Sequence, residues 1–229
     1  PGLGDVLDLD DIHEEFAPDL VGMVLDPGTG LDARIGNMRT HVATAYGLIL
    51  PEIRLTDNAA LPPGSYVMRL HGIEQARDTL EPGRVLMLLS GEGSDVDPPV
   101  REPVYGAPAR GIDSDAQEAA ALDGASVVTP TEVLATHLLE IIRRNLSRLL
   151  TFNSMRRLLD EFTSLSAPQR AQANKRLLDE LMPDKVPADV LLGVLRLLLE
   201  ERVSIRNLPL ILEATAEARG MTTSLDAIG

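Results

Sequence analysis

The chain has no cysteine and no tryptophan, and aromatic residues make up only 3% of its 229 positions. Without cysteine, disulfides and thiolate chemistry are excluded, and a cytoplasmic setting fits. With so few aromatics the cores have to be aliphatic, built from Leu, Val, Ile and Ala. No stretch approaches the roughly 18 consecutive apolar residues that a membrane helix needs. The start at Pro1-Gly2-Leu3-Gly4 has neither Met nor a basic signal-like region, as expected of an excised piece of a longer chain. Basic residues are scarce too: 21 against 35 acidic ones, for a net charge of −14. Such a surface repels phosphate backbones and anionic lipid headgroups, so protein partners are the class left open.

What is present suffices for folding. Hydrophobic residues are 44% of the chain, and its length suggests two or three compact units. Val6, Leu7, Leu9 and Ile12 suggest a short strand, and His13-Glu14-Glu15 reads as a solvated acidic turn with a weaker reading as a metal contact. Asp26 to Gly30 is a loop. Asp32 opens a helix that runs to about Tyr46, with Gly47 as its stop. Ile53 and Leu55 alternate with polar residues. Tyr66, Met68 and Leu70 alternate with Val67, Arg69 and His71, the pattern of a half-buried strand between turns at Pro62-Pro63-Gly64 and Glu81-Pro82-Gly83. Val85 to Leu89 reads as a buried strand, Asp95–Pro99 as a loop, and Val104 to Ile112 as irregular. Ser114 or Asp115 caps a short helix ending at Gly124, and Val127-Val128 is a short strand.

From Thr129 the texture changes to helix. Thr129 is an N-cap, Pro130 occupies the first helical position and Glu132 completes a capping box. Helices are expected at about 130–149, 153–163, 168–181, 187–201 and 208–218, the last capped by Asn207. Residues 140–176 hold eight basic and three acidic residues, a local positive excess that favours oriented contacts between copies or with a partner; a solvated helix face is the plainer reading.

No catalytic constellation stands out. Gly91-Glu92-Gly93 lacks the later glycine and following helix of a phosphate loop, and nucleophile-elbow and zinc-protease spacings are missing. The four histidines are isolated, and His137 reads as a structural histidine on a helix face. No metal and no cofactor is implied. An acid/base pair distant in sequence stays possible, which keeps a small hydrolase or transferase with a cryptic acidic site as an alternative of another class.

Four segments resemble one family in order along the chain. They are Tyr46 to Asn58 with the following Tyr66–Gly72 strand and Pro82-Gly83-Arg84; Glu102-Pro103-Val104-Tyr105-Gly106; Val133 to Leu138; and Leu198 to Leu208 with Ile211-Leu212-Glu213. They are similar to the cytoplasmic domain of the flagellar type III export gate family, with virulence injectisomes as the nearest alternative. The resemblance implies a mixed α/β plus all-α fold. It places a first α/β subdomain at 1–82 and 130–149, a small inserted subdomain at 83–129 and a helical subdomain at 150–229. The family's membrane part and last C-terminal subdomain are not in this sequence.

The resemblance also implies a docking platform rather than an enzyme, part of a ring, typically nonameric, at the cytoplasmic face of the inner membrane. Chaperone–substrate complexes would bind in the cleft between the first two subdomains, at Glu102, Tyr105 and Thr136, with Val128 and Val133 lining an apolar pocket. Other export apparatus proteins, including the export ATPase complex, are further implied partners. The family's Asp and Phe are Glu102 and Tyr105 here, and a following Trp is replaced within Arg110-Gly111-Ile112. The pair Thr136-His137 fits the flagellar branch.

Overall fold

The computed structural model describes residues 2–89 and 100–228. Gly91-Glu92-Gly93 and the loop expected at Asp95–Pro99 lie outside the described residues. In chain order the elements are α1 (Leu3–Leu7), β1 (Ile12–Phe16), α2 (Val21–Val24), α3 (Leu31–Tyr46), β2 (Ile53–Asp57), β3 (Ser65–Leu70), β4 (Ile73–Thr79), β5 (Arg84–Leu88), β6 (Val100–Arg101) and β7 (Pro108–Asp113). Then come α4 (Gln117–Leu122), β8 (Val127–Val128), α5 (Pro130–Arg144), α6 (Leu146–Leu149), α7 (Phe152–Thr163), α8 (Pro168–Leu181), α9 (Ala188–Glu200) and α10 (Leu208–Ile228). The fold is mixed α/β followed by helix. Two compact units result: Pro1–Met38 with Glu52–Ile141, and Arg39–Pro51 with Ile142–Gly229.

The first unit holds two four-stranded sheets. One has the order β2-β1-β3-β4 and the other β6-β7-β5-β8. β1 runs parallel to β2, which demands a crossover, and the segment carrying α3 supplies it. β1 pairs antiparallel with β3, and β3 with β4. The central strand β3 is buried on both faces: Tyr66, Val67, Met68 and Leu70 are all inaccessible. The half-buried strand expected from alternation is thus corrected, because β3 lies inside the sheet with β1 and β4 on its flanks. β4 went unseen in the sequence, since its exposed edge residues give no alternation. β7 likewise replaces the irregular stretch expected near 104–112. In β5 only Val85 is buried, so the fully buried strand expected at 85–89 is also corrected.

At the N-terminus the strand expected from Val6, Leu7, Leu9 and Ile12 is corrected too, except at Ile12. Leu3–Leu7 is a helical turn with Leu3, Val6 and Leu7 exposed, and the strand begins only at Ile12. The acidic turn expected at His13-Glu14-Glu15 is the middle of β1 instead. Successive side chains of a strand point to opposite faces, and the two glutamates divide accordingly. Glu15 accepts from Arg69 Nε at 2.9 Å and Asn58 Nδ2 at 2.7 Å. Those bonds, Arg69's first, hold its carboxyl below the usual range. Glu14 shares a face with Ile12 and Phe16 and is wholly buried. Among the described residues neither of its oxygens has a hydrogen-bond partner. Burial pushes its carboxyl well above the ordinary range.

The second unit is helical around an aliphatic core that includes Leu149, Leu150, Leu191, Leu195, Leu199 and Ile205. Each such side chain contributes about 1.5–3 kcal/mol of burial. The helix expected at 130–149 breaks at Asn145 into α5 and α6, and α10 runs ten residues past its expected end at 218. Gly47 stops α3 with φ at 76°, and a Cβ there would meet the backbone nitrogen of Arg206 at 2.5 Å. Asn207 caps α10, accepting from the Leu210 N–H at 3.3 Å.

Glu14 makes stability depend on pH. In the folded chain its carboxyl keeps a proton that the unfolded chain gives up above about pH 4.5, the ordinary value. This contribution is therefore complete below that pH and is lost as pH rises toward the folded-state value. Relative to Glu14→Gln, the wild type should lose up to about 1.4 kcal/mol per pH unit across this window. Urea melts between pH 5 and 9 check it; parallel curves for the two proteins would contradict it.

Candidate functional site

The candidate face is assembled within the first unit. Its outward residue is Tyr105, 64% exposed in a chain with only three tyrosines. A tight turn between β6 and β7 holds it. The Glu102 N–H donates to the Ala107 carbonyl and the Gly106 N–H donates to the Glu102 carbonyl, both at 2.8 Å. Gly106 adopts φ of 70°, the left-handed region where glycine is unstrained. Arg101 Nη1 donates to the Gly106 carbonyl at 3.0 Å. Inside the turn Glu102 is only 7% exposed. Its carboxylate accepts from the Val104 N–H through Oε1 and from the Tyr105 N–H through Oε2 at 2.9 Å. Glu102 thus acts on its own backbone: it shapes the turn that displays Tyr105. A carboxylate receiving two N–H groups satisfies donors that the tight turn would otherwise leave open.

The second contribution comes from α5. Thr129 caps it, accepting from the Glu132 N–H at 3.2 Å, and Pro130 begins it. Val133, Leu134, Leu138 and Ile141 are buried on one side, which turns Thr136 outward, where it is exposed. Val128 is half-buried and pairs with Leu86 of β5. Val133 is 1% exposed and belongs to the core rather than to an open pocket wall.

Below this face lies a polar pair that the sequence did not reveal. The hydroxyl of Tyr66 is 2.7 Å from Nδ1 of His137, and the rings meet edge-on at 5.6 Å. Burial first, then the charges of Asp78, Glu14 and Glu102, pushes the Tyr66 hydroxyl far above its ordinary range. The hydroxyl keeps its proton, and the bond joins it to the imidazole with the donor set by the histidine's tautomer. Tyr66 therefore joins β3 to α5 and lies within electrostatic reach of the Glu102 turn. The alternation around Tyr66 marked it as a strand residue, but only tertiary structure brings it to His137.

Nothing in the arrangement resembles a catalytic centre. Among the described residues no group of three or more His, Asp or Glu side chains could hold a metal ion. His13, weighed above as a metal contact, instead bonds Thr56 Oγ1 through Nε2 at 2.6 Å. No helix among the described residues is long and apolar enough to cross a membrane.

The fold is shared with type III secretion proteins. It superposes on the Chlamydia pneumoniae CdsV protein with a TM-score of 0.73 at 23% identity, covering 93% of this chain and 61% of CdsV. CdsV in its complex with CdsO gives 0.72 at 22%, covering 92% and 64%. The nonameric EPEC SctV-C gives 0.63 at 18%, covering 93% and 61%. In sequence, residues 2–228 match the FHIPEP family, and the chain belongs to that family. The flagellar biosynthesis protein FlhA of Caulobacter vibrioides is 36% identical over 223 residues, 96% of this chain. FlhA of Borreliella burgdorferi is 32% identical over 222 residues, again 96% of this chain. The chain spans 31% of the length of both relatives. Proteins of this family are components of type III export and not enzymes.

Removing the Tyr66 hydroxyl should take this buried bond away from His137 Nδ1. Tyr66→Phe is expected to lower stability by about 1–3 kcal/mol, measured by denaturant unfolding. A variant as stable as the wild type would show that the bond contributes nothing.

Proposed function

We propose that this chain is a cytoplasmic docking platform of a flagellar type III export gate, and that chaperone–substrate complexes bind where the Glu102–Ala107 turn and α5 present Tyr105 and Thr136. One observation carries the reading. Tyr105 is the most exposed aromatic among the described residues at 64%, ahead of Phe152 at 47%, and its own turn fixes its backbone. Rigid aromatic side chains are the usual anchors of protein interfaces, because they bring large area at little entropic cost. Thr136 adds a hydroxyl that can orient a partner, Val128 adds apolar surface, and Glu102 and Val133 hold the frame. The family membership and the FlhA names of the relatives support the flagellar branch over the injectisome one.

The parent protein is proposed to sit at the cytoplasmic face of the bacterial inner membrane and to assemble as a ring. The nonameric state of SctV-C supports the ring, and the CdsV–CdsO complex supports engagement of further export proteins, including those of the ATPase complex. The positive helical stretch at 140–176 in an otherwise acidic chain suits contacts between copies. The three-part division at 1–82 with 130–149, 83–129, and 150–229 is proposed for the functional modules, with the docking cleft between the first two.

Tyr105→Ala and Thr136→Ala test the docking reading. Tyr105→Ala should weaken capture of flagellar chaperone–cargo complexes by about tenfold or more, Thr136→Ala by less, with the melting temperature unchanged. Titration of purified complexes against the two variants reads this. Undiminished binding by Tyr105→Ala would remove the face from consideration, and preferential capture of an injectisome chaperone would reassign the branch.

A further inference from the structure

A pocket of about 420 Å³ in the second unit is lined by Arg143, Arg144, Arg148 and Arg202, together with Asn145 and Glu200. Four arginines against one glutamate among the lining residues give it an excess of basic residues in a chain whose net charge is −14, and Arg143, Arg144 and Arg148 make interactions of their own as well. Two of the arginines have an ordinary structural explanation. Arg143 and Arg144 stand in the last turn of α5, where the helix's terminal carbonyls favour cations. Arg143 Nε also donates to the Tyr46 hydroxyl at 3.1 Å, which anchors one wall.

Arg202 also stands at a helix C-terminus, just past α9, where a cation is favoured, but its backbone conformation is unusual. Helix α9 ends with the Arg202 N–H donating to the Leu199 carbonyl at 2.9 Å and the Val203 N–H donating to the Leu198 carbonyl at 2.8 Å. This pair of bonds puts the residue after the helix into the left-handed region, and Arg202 has φ of 57°. Glycine is the usual occupant, because a Cβ there crowds the backbone. In the same unit the chain does end α3 on a glycine, Gly47. At Arg202 it instead keeps an arginine in a conformation that glycine would adopt with less strain, and that residue completes the basic pocket.

We propose that this pocket binds the carboxylates of an acidic peptide segment belonging to a protein partner. Guanidinium forks match carboxylates in a two-pronged geometry that an ammonium cannot reproduce. The small pocket accommodates one or two side chains. A nucleic acid or an anionic membrane binds through an extended surface and meets the chain's net charge of −14, whereas a short acidic segment needs only the pocket itself. Glu200 on the wall accepts a peptide N–H and so fixes the direction of the bound segment. The site shares no residue with the Tyr105 face and does not rest on the docking proposal.

Fluorescence anisotropy on the full chain, with fluorescein-labelled hexaglutamate as the probe, tests the assignment. The expected result is saturable binding that weakens with added salt and that Tyr105→Ala leaves unchanged. Arg144→Ala and Arg202→Gly should each reduce affinity by about tenfold. Arg202→Gly is the decisive variant: it should keep or raise the melting temperature while losing peptide affinity, so lost binding cannot be blamed on misfolding. The proposal is overturned by the lack of saturable peptide binding or by wild-type affinity in Arg202→Gly. Tighter binding of a single-stranded hexanucleotide or of inorganic phosphate than of the peptide also overturns it.

Discussion

The hydrogen bond from Tyr66 to His137 is the constraint on which the first unit depends. It lies in an aliphatic core where neither group can turn to water: Tyr66 is wholly buried and His137 is 8% exposed. An unpaired polar group in such a place is unfavourable by more than a made bond gains. The pair therefore acts as a locating pin between β3 and α5. Apolar packing alone would let a helix slide or rotate over a sheet at modest cost, because dispersion contacts are not directional. A directional 2.7 Å bond removes that freedom. The residue before His137 is Thr136, so the pin also fixes which side chain of α5 faces outward.

Glu14 is the counterpart of this economy. Its two oxygens lack partners among the described residues, and it sits in β1 with Leu55 and Met68 as its cross-strand neighbours. A neutral carboxyl is the form this environment favours, and the neighbouring Glu15, one residue on, stays charged against Arg69. Two adjacent glutamates acquire opposite protonation tendencies from strand geometry alone. Sequence reading missed this because His13-Glu14-Glu15 is locally polar, which resembles a turn. The pairing of β1 with both β2 and β3 overrides the local composition. The same cause hid the burial of β3 and the existence of β4: strand status in a sheet depends on distant partners, and a seven-residue window contains none of them. By contrast, the α3 stop at Gly47, the Thr129-Pro130 helix start and the Asn207 cap were legible, since each is made by residues only a few positions apart.

The candidate face was legible in part for a related reason. Tyr105 and Thr136 were singled out through resemblance to family segments, and both are exposed. What the sequence could not supply was the division of labour. Glu102 reads as a surface carboxylate, yet its oxygens are committed to the Val104 and Tyr105 N–H groups. Val133 reads as a pocket wall, yet it is core.

Charge then separates two modes of recognition in one acidic chain. The Tyr105 face offers an aromatic ring and a hydroxyl beside Arg101 of the same turn, so apolar area and directional hydroxyl contacts dominate there, which salt barely screens. The Arg143–Arg202 pocket works through guanidinium charge, which salt screens over distances of about 8 Å under physiological conditions. An acidic segment would feel the chain's net negative charge as repulsion, and attraction where basic residues gather, in the 140–176 stretch and at that pocket. Net repulsion with local attraction makes encounters selective before any close contact forms. The large negative charge, which composition presented only as a reason to exclude nucleic acid, is thus also a physical means of orienting protein partners.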